Sequence, residues 1–322
     1  TSDDASDADL DASDASDAVD RSDATDAVED TGSDVPWYIG EPCTANGRSG
    51  ECLNTDDCGG DREPIPGFCP GPSPIQCCVQ AEDNGGTCDP DAGYEDMPRP
   101  NAGMSEAVLD PACPAGMIPV ADFCVDAFEA ALVEELSGGG ERSWSPYFNP
   151  GDRDVRAVSI EGAVPQGYIT GEQARAACQR AGKRLCTSNE WLRACRGSQD
   201  YTYPYGDARQ DGVCNDSRSE HPAVDYFDTN ADWIWSELGN ACIGQQDDTV
   251  APAGSHEGCV SEDGAYDMMG NVHEWVADSS GVFRGGFYAD TSINGEGCLY
   301  ATTAHSTGHW DYSTGFRCCS SR

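Results

Sequence analysis

Apolar positions follow three different regimes along the chain. Residues 1–36 repeat Ser-Asp-Ala with small variations, SDDASDADLDASDASDAVDRSDATDA, and hold one Leu, no aromatic and no Cys. Nothing there offsets the entropy of ordering, so this stretch reads as a solvated, self-repelling spacer. It also lacks the D-x-D-x-D-G pattern of a compact calcium loop. Residues 37–80 place Cys43, Cys52, Cys58, Cys69, Cys77 and Cys78 among many Gly and Pro. Apolar residues are too few there for a core, so covalent staples must hold the unit together. Residues 81–108 are polar and rich in Pro and Gly, and they predict a linker. From 109 to 322 the chain gains six of its seven tryptophans and a mixed pattern, which marks the main fold.

Two helices are signalled in that last region. Thr170 followed three residues on by Gln173 forms a capping box, in which side chains satisfy the orphan amides of a first turn. Ala174, Ala177, Cys178 and Ala181 then mark one face, and Gly182 suits the stop. Thr187 and Glu190 repeat the device before Trp191, Leu192 and Cys195, with a stop near Gly197. Beyond residue 200 the pattern breaks into short aromatic or β-branched pieces between Gly, Asn and Asp. Short antiparallel strands set in irregular loops follow, and the fold class is α+β.

Charge narrows the function. The chain has 322 residues, 58 acidic and 18 basic, for a net charge of −40. The first 35 residues hold 13 acids and one Arg, a balance of −12, so the remaining 287 still carry −28. Such a surface is unsuited to phosphate backbones or anionic membranes, which need clustered Lys and Arg. Divalent cations and basic partners stay open. No apolar run approaches the ~18 residues of a spanning helix, which argues against membrane insertion. Eighteen cysteines, an even number with no C-x2-C pair, read as disulfides rather than zinc ligands. Six cysteines allow 15 pairings, which the sequence leaves open. The expectation is a secreted or cell-surface protein whose signal segment has been removed. Lys183 is the single lysine, and the excess of Arg over Lys points to a bacterial source.

The segment GFCPGPSPIQCC and the cysteine doublet at its end resemble the clip-type modules attached to secreted hydrolases. That resemblance implies the pairs Cys43–Cys77, Cys52–Cys69 and Cys58–Cys78, and a docking or adhesive role. In the main region CPAGMIPVADFCVDAFEAAL (113–132), GKRLCTSNEWLRACRG (182–197), YPYGD (203–207), YDMMGNVHEWVAD (266–278), FRGGFY (283–288) and GFRCC (315–319) occur in one order. This series is similar to the formylglycine-generating-enzyme, or sulfatase-modifying-factor, family, whose fold is related to C-type lectins. The resemblance covers residues 109–319 and implies a loop-rich, disulfide-stapled C-type-lectin-like fold. Trp191 and Trp275 are then large apolar anchors, Gly285-Gly286 a tight backbone approach, and Arg284 and Arg317 buried forks.

Two metal sites are carried over from the family. Asp267, Gly270, Val272 and Glu274 would bind calcium through two carboxylates and two carbonyls, which are hard oxygen ligands. The alternative is that Asn271 and Glu274 brace a turn by hydrogen bonding. A second calcium site would draw on Asn215, Asp216, Asp225 and Phe227. The family's reaction requires copper on two cysteines five residues apart, because thiolates suit Cu(I). Those positions correspond to Asp290 and Gly295, so no copper is expected and no catalytic residue is assigned. Cys298 lies further on, with Cys318 and Cys319 among its candidate partners. His305 and His309 flank Ser-Thr-Gly, which argues against a shared helical face. His273 stands where the family usually has an aromatic, a position that suits packing.

These features favour a non-catalytic extracellular binding or structural protein. Its recognition surface would lie on the loops 228–260 and 289–312, with Tyr288, Tyr300, Trp310 and Tyr312 as aromatic candidates. The partner would be an extracellular protein or a glycan, or a second copy through self-association. A divergent metal-dependent oxidase or protein-modifying enzyme and a subunit of an extracellular polymer or appendage are the rivals.

Overall fold

The structure is a computed structural model that describes residues 36, 38–45, 48–58, 62–80 and 88–322. Residues 1–35 of the acidic spacer lie outside the described residues, as do 81–87. The chain divides into two units, 1–85 and 86–322.

In the first unit four antiparallel strands, β1 (Pro42–Ala45), β2 (Arg48–Asn54), β3 (Arg62–Ile65) and β4 (Ile75–Gln80), take the order β1-β2-β4-β3. Disulfides join Cys43 to Cys77, Cys52 to Cys69 and Cys58 to Cys78. The interior is Ala45, Cys77 and Val79 with Cys43, Ile65 and Cys69 packed on it. Half of that small core is cystine, which is how so apolar-poor a stretch encloses an interior at all.

The second unit has three small sheets. β5 (Met117–Val120) and β6 (Phe123–Asp126) form a hairpin that joins β10 (Arg184–Leu185) and the last strand, β15 (Cys318–Ser321), in the order β10-β15-β6-β5. β7 (Ala130–Glu135) lies between β8 (Glu141–Ser143) and β9 (Val155–Ser159). β11 (His273–Trp275) and β12 (Phe283–Arg284) stand between β13 (Ala301–Thr302) and β14 (Thr314–Phe316), with β11 and β14 parallel. Both capping boxes form. Helix α1 (Gly171–Arg180) starts at Thr170 and α2 (Ser188–Arg196) at Thr187, each with reciprocal bonds to the third helical residue. Gly197 closes α2 at φ +65°, where a side chain would also strike Glu262.

Six disulfides brace this unit: Cys88–Cys242, Cys113–Cys124, Cys178–Cys318, Cys186–Cys319, Cys195–Cys298 and Cys214–Cys259. Neighbouring residues of a strand face opposite sides. Cys318 therefore reaches α1 while Cys319 reaches the start of α2. Cys298 pairs with Cys195 on α2, not with either member of that doublet.

Two expectations are corrected here. Residues 88–108 are no linker: Cys88 is bonded to Cys242, Met97 enters the core, and the Asn101 side chain exchanges two bonds with the Val164 backbone. Glu106 further binds Lys183 at 3.0 Å. The polar, Pro-rich composition hid these contacts because each is made to a distant residue. Residues 222–227 form a short helix, α3 (Pro222–Phe227), whose cap is the His221 ring accepting the Ala223 amide. Histidine is outside the usual set of capping residues, so Pro222 at the first helical position was the one start signal available. Among the described residues no helix is long and apolar enough to cross a membrane.

Candidate functional site

The motifs converge on β11. Its central residue Glu274 is buried and takes three N–H donors. Arg317 gives Nε to Oε2 at 2.7 Å and Nη2 to Oε1 at 2.6 Å, and Trp191 gives Nε1 to Oε2 at 2.7 Å. The rest of the Arg317 fork is spent on the carbonyls of Asp126 and Tyr266. Beside it Asn271, at φ +55°, donates to Glu129 and to the Ala251 carbonyl, and its oxygen accepts from Asn215 and the Ala251 amide. Glu129 also accepts the Val272 amide at 3.1 Å. Arg317 is paired with Glu274 alone, and the buried carboxylates of Glu129 and Asp267 lie near enough to feel its charge. Burial, reinforced by the charges of Asp267 and Glu274, holds Glu129 well above the usual carboxylate range. Burial likewise lifts Asp267 to about 6.

At Glu274 a calcium ion would compete with these donors: Oε2 accepts two N–H groups and Oε1 one, and the guanidinium already supplies positive charge. One oxygen of Asp267 accepts the Gly254 amide at 2.7 Å. The hydrogen-bonded brace is what Asn271 and Glu274 form. The second proposed set is not assembled. Asp216 binds Arg209 and Thr291, Asn215 donates to Thr249 and Asn271, and Asp225 pairs with Arg218. Asp225 and Phe227 sit in α3, where helical geometry replaces the ligand loop. Arg284 is only half-buried and donates to Ser188, so it is not a buried fork like Arg317.

The positions corresponding to the copper cysteines are taken up by local hydrogen bonding. Asp290 Oδ1 accepts the amides of Ser292 and Ile293, and Oδ2 accepts the Tyr300 hydroxyl at 2.9 Å. Gly295 stands at φ +120°, with the Leu299 carbonyl 2.7 Å from where a Cβ would be. All eighteen cysteines are in disulfides and none is free. Close by, His273 is buried against Phe283, Phe287 and Tyr300, and its Nδ1 has no partner. Burial lowers it to about 4, so it packs as a neutral ring. His305 and His309 do come together, ring over ring at 3.8 Å, from an irregular loop rather than a helix. His309 is held by Asp311 at 3.0 Å. Among the described residues, the one group of three His, Cys, Asp or Glu with ligand atoms close enough for a metal is Cys43, Cys52 and Cys69. Those sulfurs are all in disulfides.

The aromatic surface needs correction. Tyr288, Tyr300 and Tyr312 are at most 3% exposed. Tyr288 and Tyr312 belong to a core cluster with Tyr168, Ile234, Ile243 and Phe287, and Tyr312 meets the His221 ring at 3.0 Å. Only Trp310, at 38%, reaches solvent. The exposed aromatics of the second unit that were missed are Trp233 at 53% and Trp235 at 45%. Both lie on the 3-10 turn Asp232–Ser236, around buried Ile234. Two tryptophans flanking one Ile in DWIWS were the available signal, since a turn that buries its centre exposes its neighbours. A separate cleft of about 640 Å³ is lined by Tyr94, Glu134, Asp152 and Arg153 among others.

Comparison with known proteins agrees with the motif order. The family described as Sulfatase-modifying factor enzyme 1-like domain matches residues 110–322. Two relatives carry the name "Inactive C-alpha-formylglycine-generating enzyme 2". The one from Bos taurus is 28% identical over 167 residues, covering 48% of this chain and 50% of the relative. The one from Mus musculus is 26% identical over 169 residues, covering 49% of each. The chain therefore spans about half the length of these relatives. Among solved structures, PvdO from Pseudomonas aeruginosa superposes with a TM-score of 0.38 at 13% identity, covering 68% of this chain and 90% of its own. CarF gives 0.33 at 18%, covering 62% and 86%.

Proposed function

The chain belongs to the sulfatase-modifying factor enzyme 1-like family through residues 110–322, and from that membership we propose that it is a non-catalytic binding protein of an oxidising, extracellular setting. The observation that carries this is the state of its cysteines. Copper oxidation in the family needs two thiolates, and here every thiol is committed to a disulfide while Asp290 and Gly295 serve their own loop. Nine disulfides also suit an oxidising compartment, where such bonds persist. The relatives named inactive are in keeping with a domain kept for its shape.

A scaffold so braced holds its loops in place, and binding is a natural use of loops on a rigid frame. The test combines two measurements on the full chain. Thiol titration in denaturant without reductant is expected to give zero thiols. Oxygen uptake with a cysteine-containing peptide and added copper is expected to match the protein-free rate. Two titratable thiols accompanied by peptide-dependent oxygen uptake would overturn the proposal.

A further inference from the structure

Exposed tryptophans on an acidic protein raise the question of what they meet. Trp233 rests against Phe227 at 5.0 Å and Trp235 against His221 at 4.9 Å, both edge-to-face. Phe227 ends α3 and His221 caps its start, so the two indoles contact opposite ends of a six-residue helix, ~9 Å long. Trp310 approaches the same loop, with its ring 3.0 Å from where a Gly239 Cβ would lie. Three half-exposed indoles around one short loop are more apolar surface than isolated chance positions supply.

The charge around them is one-sided. From 219 to 283 the sequence contains no Lys and no Arg. Asp228, Asp232 and Glu237 are all exposed, and among the described residues none pairs with a basic side chain. The nearest cation in sequence, Arg218, is nearly buried and already held by Asp225 and by the carbonyls of Glu220 and Asp247. An indole face attracts cations through its quadrupole, and unpaired carboxylates add to that attraction. A neutral sugar stacks on indole but gains nothing from the net charge. An apolar protein face would have to desolvate the carboxylates.

We propose that the Trp233–Trp235 turn docks an arginine- or lysine-bearing segment of another protein, its cationic side chains lying over the indoles. This rests on the non-catalytic binding function, and it adds the chemistry of the partner. Two cations on alternate residues of an extended strand share one face and lie about 7 Å apart, close to that helix length.

The test uses the full chain at 150 mM salt and the labelled peptide Gly-Arg-Gly-Arg-Gly-Arg-Gly, with the Gln-for-Arg peptide as reference. The native protein is expected to prefer the Arg peptide by about tenfold or more. The double variant Trp233→Ala/Trp235→Ala is expected to lose about tenfold of that affinity, as two cation–π contacts would supply. Asp228→Asn/Asp232→Asn/Glu237→Gln should lose a similar factor. The charge-matched variant Asp122→Asn/Glu135→Gln/Asp152→Asn, on other surfaces, should lose less than twofold. Equal loss from both acid triples with none from the tryptophan pair would reduce binding to diffuse attraction and overturn the proposal. So would absence of a preference for Arg, or tryptophan-dependent binding of a neutral oligosaccharide such as maltopentaose in its place. Thiol content and oxygen uptake are read separately, so the docking surface and the non-catalytic function fail independently.

Discussion

The same residue type plays opposite parts in two regions of the second unit. Around β11, Trp191 and Trp275 are at most 1% exposed, and each indole N–H has an acceptor, Glu274 or the Ile169 carbonyl. Around α3, Trp233 and Trp235 are about half exposed and meet Phe227 and His221 at steep interplanar angles. Of the first pair, Trp191 is tied to the buried charge network and Trp275 to a backbone carbonyl. The second is held out to solvent by one buried Ile.

The comparison can be broken from the buried side first. Arg317→Met should cost about 3–5 kcal/mol, because buried Glu274 loses its ion-pair partner. Its melting temperature should fall by roughly 8 °C or more for a unit of this size. A loss under about 1 kcal/mol would mean the network is wet rather than buried. Trp191→Phe removes one donor from Glu274 and some volume, and about 2–3 kcal/mol is expected by denaturant unfolding. Thr187→Ala deletes the α2 cap and should cost about 1 kcal/mol.

On the exposed side the effects are smaller. Burial lowers the His221 pKa below its ordinary value. Its contribution is therefore complete above about pH 6.5 and is lost as the pH falls from there through the folded-state value. A protonated ring cannot accept the Ala223 amide, so α3 and the tryptophan turn should loosen together in acid. His221→Asn keeps a capping acceptor without titrating, and its melting temperature should fall less than the native protein's between pH 7 and pH 5. Trp233→Ala should shift stability by no more than about 0.5 kcal/mol. A loss comparable to Trp191→Phe would make Trp233 part of the core and remove it as a display residue.

Much of the architecture was legible. Both capping boxes are three-residue patterns, and both helices start where those patterns place them. Trp191, Trp275 and Arg317 were recognisable as buried anchors because they stand inside motifs of known order. Trp233 and Trp235 were not singled out, since a tryptophan in a loop is as readily core as surface. Tyr288, Tyr300 and Tyr312 went wrong for the same reason in reverse: loops that pack on each other bury their aromatics. The pairing of Glu274 with Arg317 was not legible, because a carboxylate's partner depends on what folds against it, and Arg317 lies 43 residues further along.

The sequence by itself determined the family, the two long helices and the oxidised character of the chain, because these follow from local spacing and composition. It also excluded the thiolate pair, since Asp290 and Gly295 cannot be cysteines. Only the tertiary structure decided which cysteine meets which in the second unit, that Glu274 pairs with Arg317, and which aromatics face water. Those outcomes depend on residues far apart in the chain arriving within a few ångströms, and burial is a property of the completed packing rather than of any segment.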